Sequence, residues 1–107
     1  MTIKIGAALP AGDSNGLSAI SAAMVEDPEK VRVAVVLLDC SRITTNTDNG
    51  DVIPTARIRA IEPVTDATTD GAEMERLLRR AYERRTGHTE LPLDLERELD
   101  ALSPDND

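Results

Sequence analysis

The sequence predicts an α+β fold: a long antiparallel β-hairpin in a small sheet, packed by one amphipathic helix and a short C-terminal helix. Three observations predict it. Two β-rich arms in residues 31–64 flank a single turn signal, Asp48-Asn49-Gly50-Asp51. An apolar stripe at helical spacing follows, formed by Met74, Leu77, Leu78, Ala81 and Tyr82. A narrower stripe of Leu91, Leu95, Leu99 and Leu102 lies near the end of the chain.

The first arm carries Val31, Val33, Val35, Val36, Ile43, Thr44 and Thr45, and the second Val52, Ile53, Thr55, Ile58, Ile61 and Val64. Such β-branched side chains are stiff at χ1 and fit a pleated surface. Asn49-Gly50 suits a two-residue turn with both residues at positive φ. Asp48 then faces Asp51. One face pairs Ile43 with Ala56, Ser41 with Ile58 and Asp39 with Ala60. The other pairs Thr44 with Thr55, Arg42 with Arg57, Cys40 with Arg59 and Leu38 with Ile61. The first face, with Val31, Val33, Val35, Leu37 and Val64 added, is the expected core face. Asp39 and Glu62 interrupt it, and a bulge near Asp39 would remove the conflict. Pro54 marks a place where the second arm has an open edge.

A chain of 107 residues is expected to form one domain. With one Tyr and no Phe or Trp, Val, Ile, Leu, Ala and Met must fill its core. Long arms over so thin a core favour a second covering surface, and a homodimer supplies one. The net charge of −8 disfavours non-specific attraction to nucleic acid and suits a basic partner. Ten Arg against two Lys match a GC-rich genome or a halophile. The single Cys40 forms no internal disulfide, which fits a reducing, cytoplasmic setting. The N-terminus lacks the apolar core of a signal peptide, and no apolar run is long enough to span a membrane.

Along the chain, residues 1–30 read as a loosely ordered arm. Ile3, Ile5 and Ala7 alternate with Thr2, Lys4 and Gly6 as in a short strand over 2–9. A loop over 10–16 precedes a short helix over 17–25, where Leu17, Ile20 and Met24 have helical spacing. The main helix is expected over 71–86. Asp70 is the expected N-cap, and Glu73 gives a capping-box spacing. Glu73 and Glu75 in the first turn and Arg84 and Arg85 in the last complement the helix dipole. Gly87 is placed to end it in the left-handed conformation. Pro92 opens a last helix over 92–102 at its first position, with Leu91 and Leu95 as a hydrophobic staple. Residues 103–107 are expected to fray.

Candidate chemistry is sparse. The lone His88 lies in a connector and reads as a solvated residue. Cys40 lies mid-strand without a nucleophile motif and reads as a buried structural thiol. No phosphate loop and no His or Cys metal spacing is present, so no catalytic residue, cofactor or metal is expected. Residues 46–51 resemble an acidic calcium loop only in part, since the closing Glu is absent, and a hairpin turn accounts for them. The candidate binding patch is Arg42, Arg57 and Arg59 on one sheet face. Arg42 opposite Arg57 would be repulsive unless an acid or anion lies between them. With 20 acids in the chain, internal pairing is the plainer reading. The helix adds Arg76, Arg79, Arg80 and Arg84, with Glu75 and Glu83 offsetting Arg79 at i,i+4. The acidic segment around Asp94, Glu96, Glu98 and Asp100 is expected to fold onto that helix or to hold a basic partner.

Two stretches carry a resemblance, Thr55-Ala56-Arg57-Ile58-Arg59-Ala60-Ile61-Glu62-Pro63 and Arg76-Leu77-Leu78-Arg79-Arg80-Ala81-Tyr82-Glu83-Arg84-Arg85-Thr86-Gly87. Within residues 31–87 the chain resembles small accessory proteins of phages and mobile elements of GC-rich bacteria. That resemblance implies no site residues. The expected function is non-enzymatic: an interaction module that holds a protein partner or its own copy. The alternative is nucleic-acid binding through Arg42, Arg57 and Arg59.

Overall fold

The computed structural model describes residues 2–66 and 68–102, the last two by backbone only. The expected fraying of 103–107 and the Leu102 end of the last stripe lie outside the described residues and side chains. The element order is β1 (Lys4–Ile5), two 3-10 turns (Gly12–Ser14 and Leu17–Ile20), α1 (Ser21–Glu26), β2 (Ala34–Thr45), β3 (Val52–Pro63), α2 (Asp70–Thr86) and α3 (Leu93–Leu102). This is an α+β fold with a three-stranded sheet built on the β2–β3 hairpin. The chain gathers into two compact units. One takes the N-terminal segment up to Ala22 together with 34–63, and the other takes 23–33 together with the chain from Val64 on.

In the sheet unit β3 is central, in the order β1-β3-β2. The strand expected over 2–9 narrows to Lys4–Ile5, parallel to β3 and opposite Thr55 and Ala56. The Gly6 N–H donates to the Ala56 carbonyl at 2.9 Å. The chain then leaves the sheet and returns where the Gly16 N–H donates to the Ile61 carbonyl at 2.9 Å. Pro54, which has no N–H to give, sits just before the first β1 pair. The helix expected over 17–25 forms as a 3-10 turn running into α1. Its Ile20 is buried, as is Ala56 on β3.

The expected turn is corrected. No residue other than glycine has positive φ among the described residues, so Asn49 does not take the left-handed conformation, whereas Gly50 does at φ 77°. Asn46 closes the loop instead. Its N–H donates to the Asp51 carbonyl at 2.8 Å, and its carbonyl accepts from Gly50 N–H at 2.7 Å. Its side-chain Oδ1 accepts from Asp48 N–H at 2.9 Å, and Asn49 Oδ1 accepts from Asp51 N–H at 2.9 Å. Asn side chains that capture a backbone N–H two residues on start a reversal by themselves. The reversal therefore begins at Asn46, and the loop holds four residues rather than two.

The register changes with the loop. Thr45 pairs with Val52, Thr44 with Ile53, Ile43 with Pro54 and Arg42 with Thr55. Two irregularities follow, between Cys40 and Arg42 and between Leu37 and Leu38. Ser41 is the extra residue on β2, and Arg59 the extra one on β3. Between them Cys40 faces Ala56, Asp39 faces Arg57 and Leu38 faces Ile58. The expected core face is corrected accordingly. Each bulge shifts one strand by one residue and so exchanges its faces. Leu38 and Cys40 thus join the side of buried Ala56, and Asp39 leaves it. All twelve residues of β2 are exposed.

In the helical unit, α2 has no Asp70 N-cap. The helix starts at Asp70, and Thr69 precedes it without a side-chain cap. Asp66 organises the entry. Its Oδ1 accepts from Thr68 N–H (2.9 Å), Thr69 N–H (3.2 Å) and the Thr68 hydroxyl (2.7 Å). Glu73, expected to reach back in a capping box, pairs with Arg76. Gly87 ends the helix at φ 78°, its N–H donating to the Glu83 carbonyl at 2.7 Å. The α2 stripe does not form a core. Met74 and Tyr82 are half-buried, but Leu77 and Leu78 remain 45% and 39% exposed. The buried leucines of this unit are Leu91 and Leu99. Helix α3 starts at Leu93, one residue after the expected first position, Pro92, whose carbonyl accepts the Glu96 N–H at 3.0 Å.

Two outcomes follow for stability, both read by chemical denaturation. Gly50→Val costs roughly 1–2 kcal/mol, because a β-branched residue resists positive φ. Asn49→Val costs less, where the two-residue turn would make the two equal. Leu99→Ala costs about 2–5 kcal/mol, and Leu78→Ala less than half of that. Equal losses at Leu99 and Leu78 contradict the burial pattern.

Candidate functional site

The bulges assemble the site. Thr55 and Arg57 lie two apart on β3, so their partners Arg42 and Asp39 share a face, although they are three apart on β2. Ser41 makes this possible by taking the extra place. The expected Arg42–Arg57 pair is therefore absent. Asp39 stands opposite Arg57 and accepts two hydrogen bonds, from Nε at 2.9 Å and from Nη2 at 2.7 Å. Arg59 Nη1 donates to the same carboxylate at 3.4 Å. Arg57 and Arg59 thus share one acid of their own chain. Arg42 faces Thr55, and its side chain has no acid partner among the described residues.

Around Asp39 three guanidinium groups meet one carboxylate, so this stretch is locally positive on a chain of net charge −8, with Glu62 farther along the same face. The Arg57 guanidinium holds the Asp39 carboxyl below the usual range, against an opposing effect of desolvation, with Arg59 adding to the depression. Asp39 in turn raises Arg57. Both side chains stay well exposed, so water and salt screen the pair. A shallow cleft beside it is lined by Pro10, Ala11, Ser14, Arg57, Ile58 and Arg59.

Cys40 is exposed, not buried, because it lies on the edge strand β2, whose twelve residues are all exposed. Its thiol donates to the Arg42 carbonyl at 3.3 Å, a contact that supplies no base. His88 is exposed in its connector, with its backbone N–H on the Thr86 hydroxyl at 3.1 Å. Among the described residues no group of three His, Cys, Asp or Glu side chains could hold a metal ion. No helix there is long and apolar enough to cross a membrane.

A second charged cluster joins α2 to α3. Arg79 donates to Glu96 at 2.6 and 2.9 Å and to Glu75 at 3.1 and 3.4 Å. The Arg79 guanidinium depresses Glu96, with a contribution from the Leu91 backbone. The acidic segment does fold back on the Arg-bearing helix, and the Arg79–Glu96 pair is one link between them. The sequence reading missed Arg32. Its guanidinium donates to the carbonyls of Ala23 (3.0 Å), Asp27 and Lys30 (both 3.2 Å), and so caps the end of α1. The signal was a lone Arg a few residues beyond a short helix.

No family model matches this chain, and neither a curated protein nor a solved structure does.

Acid should loosen the helical unit first at its carboxylates. Glu96 and Asp66 titrate below their ordinary values of 4.5 and 3.8 in the folded chain. The unfolded chain therefore takes up protons first as pH falls. Their contribution is complete above those ordinary values and is lost as pH falls through the lower folded ones. Urea midpoints measured from neutral pH downward should fall in that window, and Glu96→Gln should flatten the fall. An unchanged slope in Glu96→Gln contradicts the Arg79–Glu96 link.

Proposed function

We propose that this protein is a non-enzymatic interaction module whose contact surface is strand β2. One observation carries the reading. β2 is a twelve-residue strand at the end of the sheet order, and every residue on it is exposed, including Val35, Val36, Leu37, Leu38 and Ile43 at 38–65%. Long apolar strand edges are places where another chain adds, and natural proteins otherwise blunt or cover them. Contiguous exposed apolar surface of this kind marks contact sites in soluble proteins. An accessory role of the sort found among phage and mobile-element proteins is part of this proposal, and so is the absence of catalysis.

Nucleic-acid binding through Arg42, Arg57 and Arg59 is the second reading. The excess of guanidinium over carboxylate on that face favours it. The overall charge and the engagement of Arg57 and Arg59 by Asp39 weigh against it.

Affinity capture from the source cells separates the readings, with the wild-type chain and Leu38→Lys as paired baits. The expected outcome is a bound protein present with wild type and absent with Leu38→Lys. Identical capture by both baits rejects β2 as the surface. Fluorescence anisotropy with a DNA or RNA oligomer should show no binding at low salt. Binding that weakens steeply with added salt and is lost in Arg42→Ala reverses the order of the two readings.

A further inference from the structure

We propose that the occupant of the β2 edge is a second copy of this chain, paired antiparallel about a two-fold axis that passes between Cys40 and Ser41. The inference deepens the interaction reading and rests on it. β2 carries only two charged residues, Asp39 and Arg42, and they have opposite signs. They lie at equal distances along the chain from the Cys40–Ser41 peptide. The Ser41 bulge puts both on the same face. A strand with these properties is complementary to itself. Run antiparallel about that point, Asp39 of each copy lies opposite Arg42 of the other.

The same register matches the apolar side chains. Leu38 meets Ile43 of the second copy, and Val36 meets Thr45. Leu38 and Ile43 share a face, because their β3 partners Ile58 and Pro54 lie four apart on one strand. The strand therefore presents both a charge pair and an apolar pair twice over, once on each side of the axis. Two-fold interfaces are built in this way, from one patch that fits its own copy.

Energetically, the contact gives Arg42 the acid it lacks among the described residues. Asp39 already accepts three hydrogen bonds, and a carboxylate offers about four lone-pair sites, so one site remains. Its side chain is 40% exposed and reachable from the open edge. The row across the joined sheet then reads Arg57, Asp39, Arg42 of the second copy, with the acid between two bases. Opposing long-range repulsion between two chains of charge −8 is screened at ordinary ionic strength, where the Debye length is about 8–10 Å.

The test uses the full chain in sedimentation equilibrium near physiological salt, with a short bismaleimide as a probe of the lone thiol Cys40. Wild type should dimerise reversibly, and the reagent should join Cys40 to Cys40 beside the axis. Arg42→Glu sets an acid against Asp39 at both ends of the contact. It should weaken dimerisation by about tenfold or more and abolish the cross-link. Arg42→Lys should retain both. Circular dichroism checks that the Arg42 variants fold, and Leu38→Lys should also dissociate the dimer. A wild-type chain that stays monomeric at every concentration overturns self-pairing. So does a dimer unaffected by Arg42→Glu, or one that the thiol reagent does not join. In any of those cases the interaction reading is still decided separately, by whether Leu38→Lys loses a captured protein that wild type holds.

Discussion

Two bulges set the chemistry of this sheet. In an unbroken ladder each residue's face is fixed by counting, and Asp39 would sit among the apolar side chains. Ser41 on β2 and Arg59 on β3 each add one residue, and each strand exchanges its faces beyond its own bulge. Asp39 thereby leaves the side of buried Ala56 and meets Arg57 and Arg59. The ion pair and the position of Arg42 both descend from that shift. A hairpin with the same composition but no bulges would carry that carboxylate on the side of Ala56, away from Arg57.

The hairpin and α2 were legible in the sequence because each has a strong local signature. β-branched arms and a lone turn cluster locate the one, and a helical stripe ending at Gly87 locates the other. The register was not legible, for a local reason. Asn49-Gly50 is a familiar hairpin turn, but Asn46 competes for the reversal by binding the Asp48 N–H, and it wins. The displacement is two residues, which preserves the faces next to the loop. The bulges, which the sequence marks only by the misplaced charge of Asp39, then exchange them farther along.

The candidate site was legible as a set of residues and not as an arrangement. Arg42, Arg57 and Arg59 do share a face, but Asp39, read as an interruption of the opposite face, is the group that binds two of them. In the helical unit the same pattern recurs. Arg79 and Glu96 belong to helices whose charges were evident, yet their pairing is a matter of tertiary placement. The α2 stripe shows the limit of periodicity from the other side. Spacing tells which side chains lie together on a helix, and it cannot tell how much surface is present to cover them. Leu77 and Leu78 keep helical spacing and remain exposed, while Leu91 and Leu99 are buried.

The hairpin loop also bears on how this protein ages. An Asn-Gly step is chemically fragile, because the glycine nitrogen can attack the preceding side-chain amide, close a succinimide ring and expel ammonia. In Asn49-Gly50 that nitrogen is engaged, since its N–H donates to the Asn46 carbonyl at 2.7 Å. The amide oxygen of Asn49 is held as well, by the Asp51 N–H at 2.9 Å. The attacking nitrogen is thus held on Asn46 while the loop is closed. Succinimide formation at Asn49 therefore competes with the hydrogen bond that closes the hairpin end.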